Sequence, residues 1–140
     1  MTAVAAKGPA APFLHVAVGV VVRQQQVLLS LRASHQHQGG KWEFPGGKVE
    51  GAETVLAALG RELKEELAIQ LEQATPLMQV RHQYPEREVL LDIWLVDLFS
   101  GEPKGMEGQQ VEWFDISQLH TLVFPDANQP IVERLQSLFT

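Results

Sequence analysis

Gly47-Lys48-Val49-Glu50-Gly51-Ala52-Glu53, seven intervening residues, then Arg61-Glu62-Leu63-Lys64-Glu65-Glu66-Leu67-Ala68-Ile69 is the stretch on which the reading of this chain turns. Leu56, Leu59, Leu63 and Leu67 recur at spacings of three and four, which predicts a helix over residues 53–67 with one apolar stripe. Each helical residue advances about 100°, so Glu62, Glu65 and Glu66 share an arc of roughly 100°. Their mean direction lies about 110° round the helix from the leucines. One face is therefore expected to be core. A neighbouring face carries three carboxylates, with no basic residue at position 58 or 69 to pair them. Like charges at these spacings destabilise a helix by a few tenths of a kcal/mol per pair, and a bound cation would reverse the sign. Magnesium takes hard oxygen ligands, so carboxylates on one helix face suit it. The other reading is a solvated acidic face, because Glu is a good helix former.

On the N-terminal side, Phe13–Val22 and Val27–Arg32 read as strands joined by a short turn, and residues 33–41 as a loop. Trp42-Glu43-Phe44 reads as a short strand ended by Pro45-Gly46-Gly47. On the C-terminal side, Leu77–Tyr84 and Glu88–Phe99 form a predicted hairpin around Pro85-Glu86-Arg87. In its second arm Val89, Leu91, Ile93 and Leu95 make one alternating set and Leu90, Trp94 and Val96 the other, as a central strand requires. Val111–Phe114 is a last short strand. A final helix runs from near Asp126 to about Phe139, with Asp126 and Gln129 as a capping box and Ile131, Leu135 and Leu138 as its stripe. Residues 1–12, rich in Ala, Gly and Pro, read as a flexible tail before a single domain at 13–140. The expected class is α+β, a mixed β-sheet sandwiched between α-helices.

The net charge of −6 argues against a surface that grips nucleic-acid polymer, which needs clustered Lys and Arg. An acidic enzyme still binds a nucleotide when a divalent ion bridges its carboxylates to the phosphates. Without cysteine there is neither a disulfide nor a thiolate zinc site, which fits a cytoplasmic protein. The apolar run from Phe13 to Val22 contains His15 and is followed by Arg23 and three glutamines, not by a small-residue cleavage site. It reads as a buried strand and not as a signal or membrane segment.

The quoted stretch resembles the Nudix box, G-x5-E-x7-R-E-U-x-E-E-x-G-U with U apolar, at every fixed position but one. Ala68 stands where the family has glycine, and since glycine eases a left-handed helix end, alanine suggests a different exit. The resemblance implies the Nudix fold and a magnesium-dependent hydrolase, with manganese as a substitute ion. It implies that Glu65 and Glu66 are metal ligands and that Glu62 is a ligand or the general base. A backbone carbonyl near Gly46 is expected to join the metal, and Glu53 and Arg61 to hold loop and helix in register. A monomer is expected.

Over about Leu14 to Leu138 the chain is similar to the MutT branch of that family. The segments that carry the likeness are Trp42 to Lys48, Tyr84-Pro85-Glu86-Arg87, Gly101 to Gln109, and Phe124 to Pro130. That likeness implies hydrolysis of 8-oxo-dGTP to the monophosphate and pyrophosphate, which sanitises the nucleotide pool. It implies a further carboxylate at Glu107, phosphate or sugar contacts from Arg32 and His37, and a base site at Asn128 walled by Leu14, Phe44 and Arg87. Arg32 and His37 read equally well as surface and loop residues, Phe44 as core, and Asn128 as a helix cap. As a base reader, Asn128 offers a donor beside an acceptor, matching the O6 and N7–H of 8-oxoguanine where guanine presents two acceptors. A Nudix enzyme for CTP or a modified dCTP is the nearest rival. A non-catalytic nucleotide-binding module is the rival from another class.

Overall fold

The computed structural model describes residues 13–33, 35 and 39–139; the tail assigned to 1–12 and the candidate His37 lie outside the described residues. β1 (Phe13–Arg23) and β2 (Gln26–Leu31) form a hairpin. Its turn holds Gln24 and Gln25 at φ of 52° and 64°. Two left-handed residues give the turn whose twist matches paired strands. β3 (Trp42–Glu43) and β4 (Gly46–Lys48) precede α1 (Val55–Leu67). β5 (Gln70–Gln83), β6 (Glu88–Ser100) and β7 (Val111–Asp115) follow. Two 3-10 turns, Ile116–Thr121 and Asp126–Asn128, lead into α2 (Gln129–Phe139).

Among the described residues the strands form one sheet in the order β3-β2-β1-β6-β5, with β4 on β1 and β7 on β2. β1 runs parallel to β6 while the remaining pairs are antiparallel, so the sheet is mixed. Alternation along β1 divides the core. Val18 and Val20 pack with Ile131, Val132 and Leu135 of α2, whereas Ala17 and Val21 pack with Leu59, Leu63 and Leu67 of α1. β6 is central and two-faced, as its pattern predicts: Val89, Leu91 and Ile93 join the first cluster and Val96 the second. The class is α+β with the sheet between helices. Among the described residues no helix is long and apolar enough to cross a membrane.

Several details differ from the sequence reading. Helix α1 begins at Val55, one residue after Thr54, whose hydroxyl accepts from the Ala57 N–H at 3.1 Å. Leu56 is 39% exposed, so the α1 stripe is Ala58, Leu59, Leu63 and Leu67. In α2 Leu138 is exposed and Val132 takes its place in the core. No capping box forms at Asp126; that residue opens a 3-10 turn without a side-chain cap, and α2 starts at Gln129. β5 starts at Gln70 and not at Leu77, because it is the edge partner of β6 and carries irregularities between Leu71 and Met78. β3 ends before Pro45 as expected, but a further short strand, Gly46–Lys48, follows it and pairs with Val16–Val18 of β1.

Ala68 overturns the expected alternative exit. It sits at φ 60°, ψ 31°, in the left-handed cap that glycine would take, with its N–H on the Leu63 and Lys64 carbonyls. A left-handed L-residue costs roughly 1–2 kcal/mol. Ala68→Gly removes that cost but makes the unfolded chain more flexible, which takes back about 0.4–1 kcal/mol. The variant should therefore be more stable by roughly 0.5–1 kcal/mol. Thermal unfolding in chelator checks this, and an equal or lower midpoint would mean that the surrounding loop bears no strain.

Candidate active site

Arg61 is the hub at the start of the site. Its Nε and Nη2 donate to Glu53 at 2.7 and 3.0 Å, and Nη2 also reaches the Lys48 carbonyl at 3.0 Å. Its Nη1 donates to Glu62 at 3.0 Å and to Glu65 at 3.5 Å. The expectation of unpaired helix carboxylates is thus corrected for Glu62 and Glu65: their cation comes from position 61, between the spacings first considered. The Arg61 guanidinium, followed by the Glu50 N–H, holds Glu53 down at about 2. Glu53 and then Glu62 raise the Arg61 pKa in turn.

Among the described residues the Arg61 hydrogen bonds reach Glu53, Glu62 and Glu65 and not Glu66. The Glu66 carboxylate accepts from the Gly46 N–H at 3.4 Å. Burial first, and then the Glu62 carboxyl hydrogen-bonded to it, pushes Glu66 up to about 9; the Gly46 N–H opposes this and the Glu107 charge adds to it. The glycines make this crowding possible. A Cβ at Gly47 would lie 2.3 Å from the Glu62 carboxylate, and one at Gly46 would lie 2.1 Å from the Ala17 carbonyl oxygen. The strand and the acidic helix approach as closely as bare backbone allows.

Glu107 arrives from the loop after β6. The Lys104 and Met106 N–H groups donate to the Leu67 and Glu66 carbonyls at 3.1 and 3.0 Å. Gln109 donates its amide N–H to the Glu66 carbonyl at 3.1 Å and accepts from the Glu107 N–H at 2.9 Å. These bonds satisfy carbonyls that a helix end leaves without partners.

Two cavities result. The first, about 830 Å³, is bordered by Arg32, Glu43, Phe44, Gly46, Glu66 and Glu107. The second, about 540 Å³, is bordered by Leu14, Val16, Tyr84, Glu86, Arg87 and Asn128, and again by Arg32 and Glu43. Arg32 and Glu43 are ion-paired at 2.7 Å, so the pair stands between the cavities. Leu14, Arg87 and Asn128 come together as the sequence reading expects. Phe44 does not join them. It is buried, stacks on Phe124 at 5.6 Å and borders the first cavity. Glu65 is 58% exposed in its side chain and borders neither cavity. Among the described residues no three acidic or histidine side chains converge into a complete metal cage.

Sequence reasoning missed Glu43 and Gln109 as site residues. A lone charge within Trp42-Glu43-Phe44 was the available signal for Glu43. For Gln109 there was none, because its partner Glu66 lies 43 residues away.

A NUDIX domain profile matches residues 17–134, and the chain belongs to the Nudix family. It is 37% identical over 126 residues to the 8-oxo-dGTP diphosphatase of Escherichia coli (strain K12), covering 89% of this chain and 98% of that protein. Over 125 residues it is 30% identical to the CTP pyrophosphohydrolase of the same organism, covering 89% and 93%. Among solved structures, the MutT NUDIX hydrolase from Burkholderia pseudomallei is similar with a TM-score of 0.81 and 31% identity, over 88% of this chain and 98% of that one. A MutT structure from work on Aliivibrio salmonicida and Vibrio cholerae gives a TM-score of 0.80 and 35% identity, over 91% and 100%.

The two shifted glutamates predict opposite pH dependences. Glu66 titrates above its ordinary 4.5, so its folded form binds the extra proton; that stability is present below pH 4.5 and is lost as the pH rises toward about 9. Glu53 titrates below 4.5, so its contribution is present above that value and is lost as the pH falls through about 2. In chelator, the urea midpoint of the wild type should fall from pH 5 to pH 9 more steeply than that of Glu66→Gln. Identical slopes for the two proteins would remove Glu66 as the cause.

Proposed function

We propose that this chain hydrolyses 8-oxo-dGTP to the monophosphate and pyrophosphate with a magnesium ion in the first cavity and the base in the second. The observation that carries the reading is Asn128. It borders the second cavity beside Leu14 and Arg87, where a side-chain amide can face an entering base. The 37% identity to an 8-oxo-dGTP diphosphatase over nearly its full length supports the same substrate.

The donor set fits a hard divalent ion. Glu66 is crowded against Glu62, with Glu107 as a further carboxyl group of the same cavity. Magnesium is ordinarily held by one or two carboxylates together with water and substrate phosphates, so no full protein cage is needed. Glu66 and Glu62 would hold it, with a Gly46 backbone oxygen, Glu107 facing them, and Glu65 at the exposed rim. Bound there, the ion supplies positive charge against the polyphosphate and lowers the pKa of water in the site. Glu62 takes the proton of the attacking water, and Arg61 keeps that carboxylate aimed. Arg32 borders the phosphate side. Asn128 donates to O6 and accepts from N7–H of the oxidised base, and Leu14 and Arg87 flank it. A second reading, hydrolysis of CTP or a modified dCTP, is favoured by the 30% identity to a CTP pyrophosphohydrolase.

A panel of 8-oxo-dGTP, dGTP, CTP and 5-substituted dCTP separates the readings by kcat/KM. Asn128→Ala should reduce kcat/KM for 8-oxo-dGTP by about ten- to a hundredfold and leave dGTP little changed, the scale of one lost bidentate base contact. Asn128→Asp should shrink the preference for oxidised purine, because its carboxylate repels O6. If both variants keep the wild-type ratio, the base is not read at Asn128. Glu62→Gln should lower kcat by ~10²–10⁴ with folding intact. A loss under tenfold would hand the proton to Glu107.

A further inference from the structure

We infer that Gln109 is a positioning residue: its amide bridges the last turn of α1 to the Glu107 backbone and thereby sets the Glu107 carboxylate against Glu66. This rests on the proposed role of the first cavity. It does not rest on the choice of base.

The bridge uses both ends of one primary amide. Nε2 donates to the Glu66 carbonyl at 3.1 Å while Oε1 accepts from the Glu107 N–H at 2.9 Å. Glu66 is thus fixed twice: through its carbonyl to the loop and through its carboxylate to Gly46. The same carbonyl takes the Met106 N–H, so loop and helix end are joined on either side of Glu107. Local packing leaves the loop little freedom to find the geometry another way. A Cβ at Gly105 would lie 2.0 Å from the Gln109 carbonyl oxygen, and the Gly108 N–H closes onto the Gly105 carbonyl at 3.2 Å. Beyond Gln109, the Gln110 carbonyl accepts from the Leu31 N–H at 3.0 Å, which anchors the loop to β2.

Few side chains perform this bridge. Glutamate keeps an acceptor for the Glu107 N–H but sets a carboxylate against a carbonyl at a helix C-terminus, where negative charge is disfavoured. Asparagine carries the right groups on a stem one methylene too short. Glu107 itself is exposed and belongs to a loop, and its backbone N–H is held by the Gln109 amide oxygen.

The test is a double-mutant cycle between Gln109 and Glu107, measured with saturating magnesium on both dGTP and 8-oxo-dGTP. Gln109→Ala and Gln109→Glu should each lower kcat by about ten- to a hundredfold, the scale of a catalytic group displaced by about an ångström. KM should stay within about threefold of wild type, and the loss should be equal for the two nucleotides, unlike a base-site defect. In the Glu107→Ala background, adding Gln109→Ala should cost less than about threefold more, because the group it positions is already gone. Hydrogen exchange gives a readout apart from turnover: in nucleotide-free, metal-free protein, the Glu107 amide should lose protection in Gln109→Ala while the core of β6 keeps its own. Independent, multiplicative losses in the cycle, or unchanged exchange at Glu107, would overturn the assignment. A substrate panel that fails to favour 8-oxo-dGTP would sink the base reading and leave this result standing.

Discussion

The Arg61 guanidinium decides where the glutamates of α1 can act. It donates to both oxygens of Glu53, to one oxygen each of Glu62 and Glu65, and to the Lys48 carbonyl. A planar fork with several fixed donors can serve that many acceptors at once, which an ammonium on a flexible stem cannot. Through Lys48 it holds β4, and β4 pairs with β1, so the loop before the helix takes its position from the sheet. Gly47 then sits against Glu62, and Gly46 against the Ala17 carbonyl, at distances a side chain would forbid. The depressed Glu53 and the raised Glu66 are two consequences of one arrangement. The cation of the chain is used on the outer carboxylates, and the inner one is left to burial.

The opposite end of α1 compounds that burial. Glu62, Glu65 and Glu66 occupy the last half of a helix that ends at Leu67, where the helix dipole disfavours negative charge. Lys64 is the basic residue of the last turn, and it is exposed. Solvent would ordinarily screen such a terminus. Here the loop carrying Glu107 covers it instead, giving N–H groups to the Leu67 and Glu66 carbonyls. The covering loop satisfies the helix backbone and brings one more carboxylate to the cavity. Backbone hydrogen bonding and the crowding of acidic groups are therefore built by the same few contacts.

What the sequence made legible is what depends on short periods. Alternation in β6 and the leucine spacing of α1 foretell two core faces, because those periods report local geometry directly. Leu56 and Leu138 break the pattern, since both are exposed although they keep the helical spacing. Ala68 was misread because propensity describes an isolated helix end, whereas the loop bonds at Glu66 and Leu67 hold the chain in the left-handed cap. β5 was read short because Gln70 to Pro76 pairs at an irregular edge, where no alternation is enforced. In the site, the pairing of Glu53 with Arg61 was legible through the Nudix-box resemblance, and the structure joins the two across the start of α1. Gln109 was not, because nothing local marks an amide whose partner belongs to another element.

The Arg32–Glu43 pair gives the two cavities their division of labour. Arg32 and Glu43 border both, and their 2.7 Å ion pair brings no net charge to the boundary. The first cavity is lined by the carboxyl groups of Glu66 and Glu107 and among the described residues offers no unpaired arginine, in a chain whose net charge is already −6. A bare polyphosphate entering it meets repulsion, so in the proposed function its attraction must come from the divalent ion it shares with the glutamates. That contribution is the same for every nucleoside triphosphate. Selectivity is then left to the second cavity, where apolar walls and a few polar groups act on the base alone. In the proposed function an amide at Asn128 would read the order of donor and acceptor on an edge, apart from the groups assigned to the hydrolysis. Because a neutral ion pair separates the two, base preference can change by substitution around Asn128 while Glu53, Arg61, Glu62 and Glu66 stay as they are.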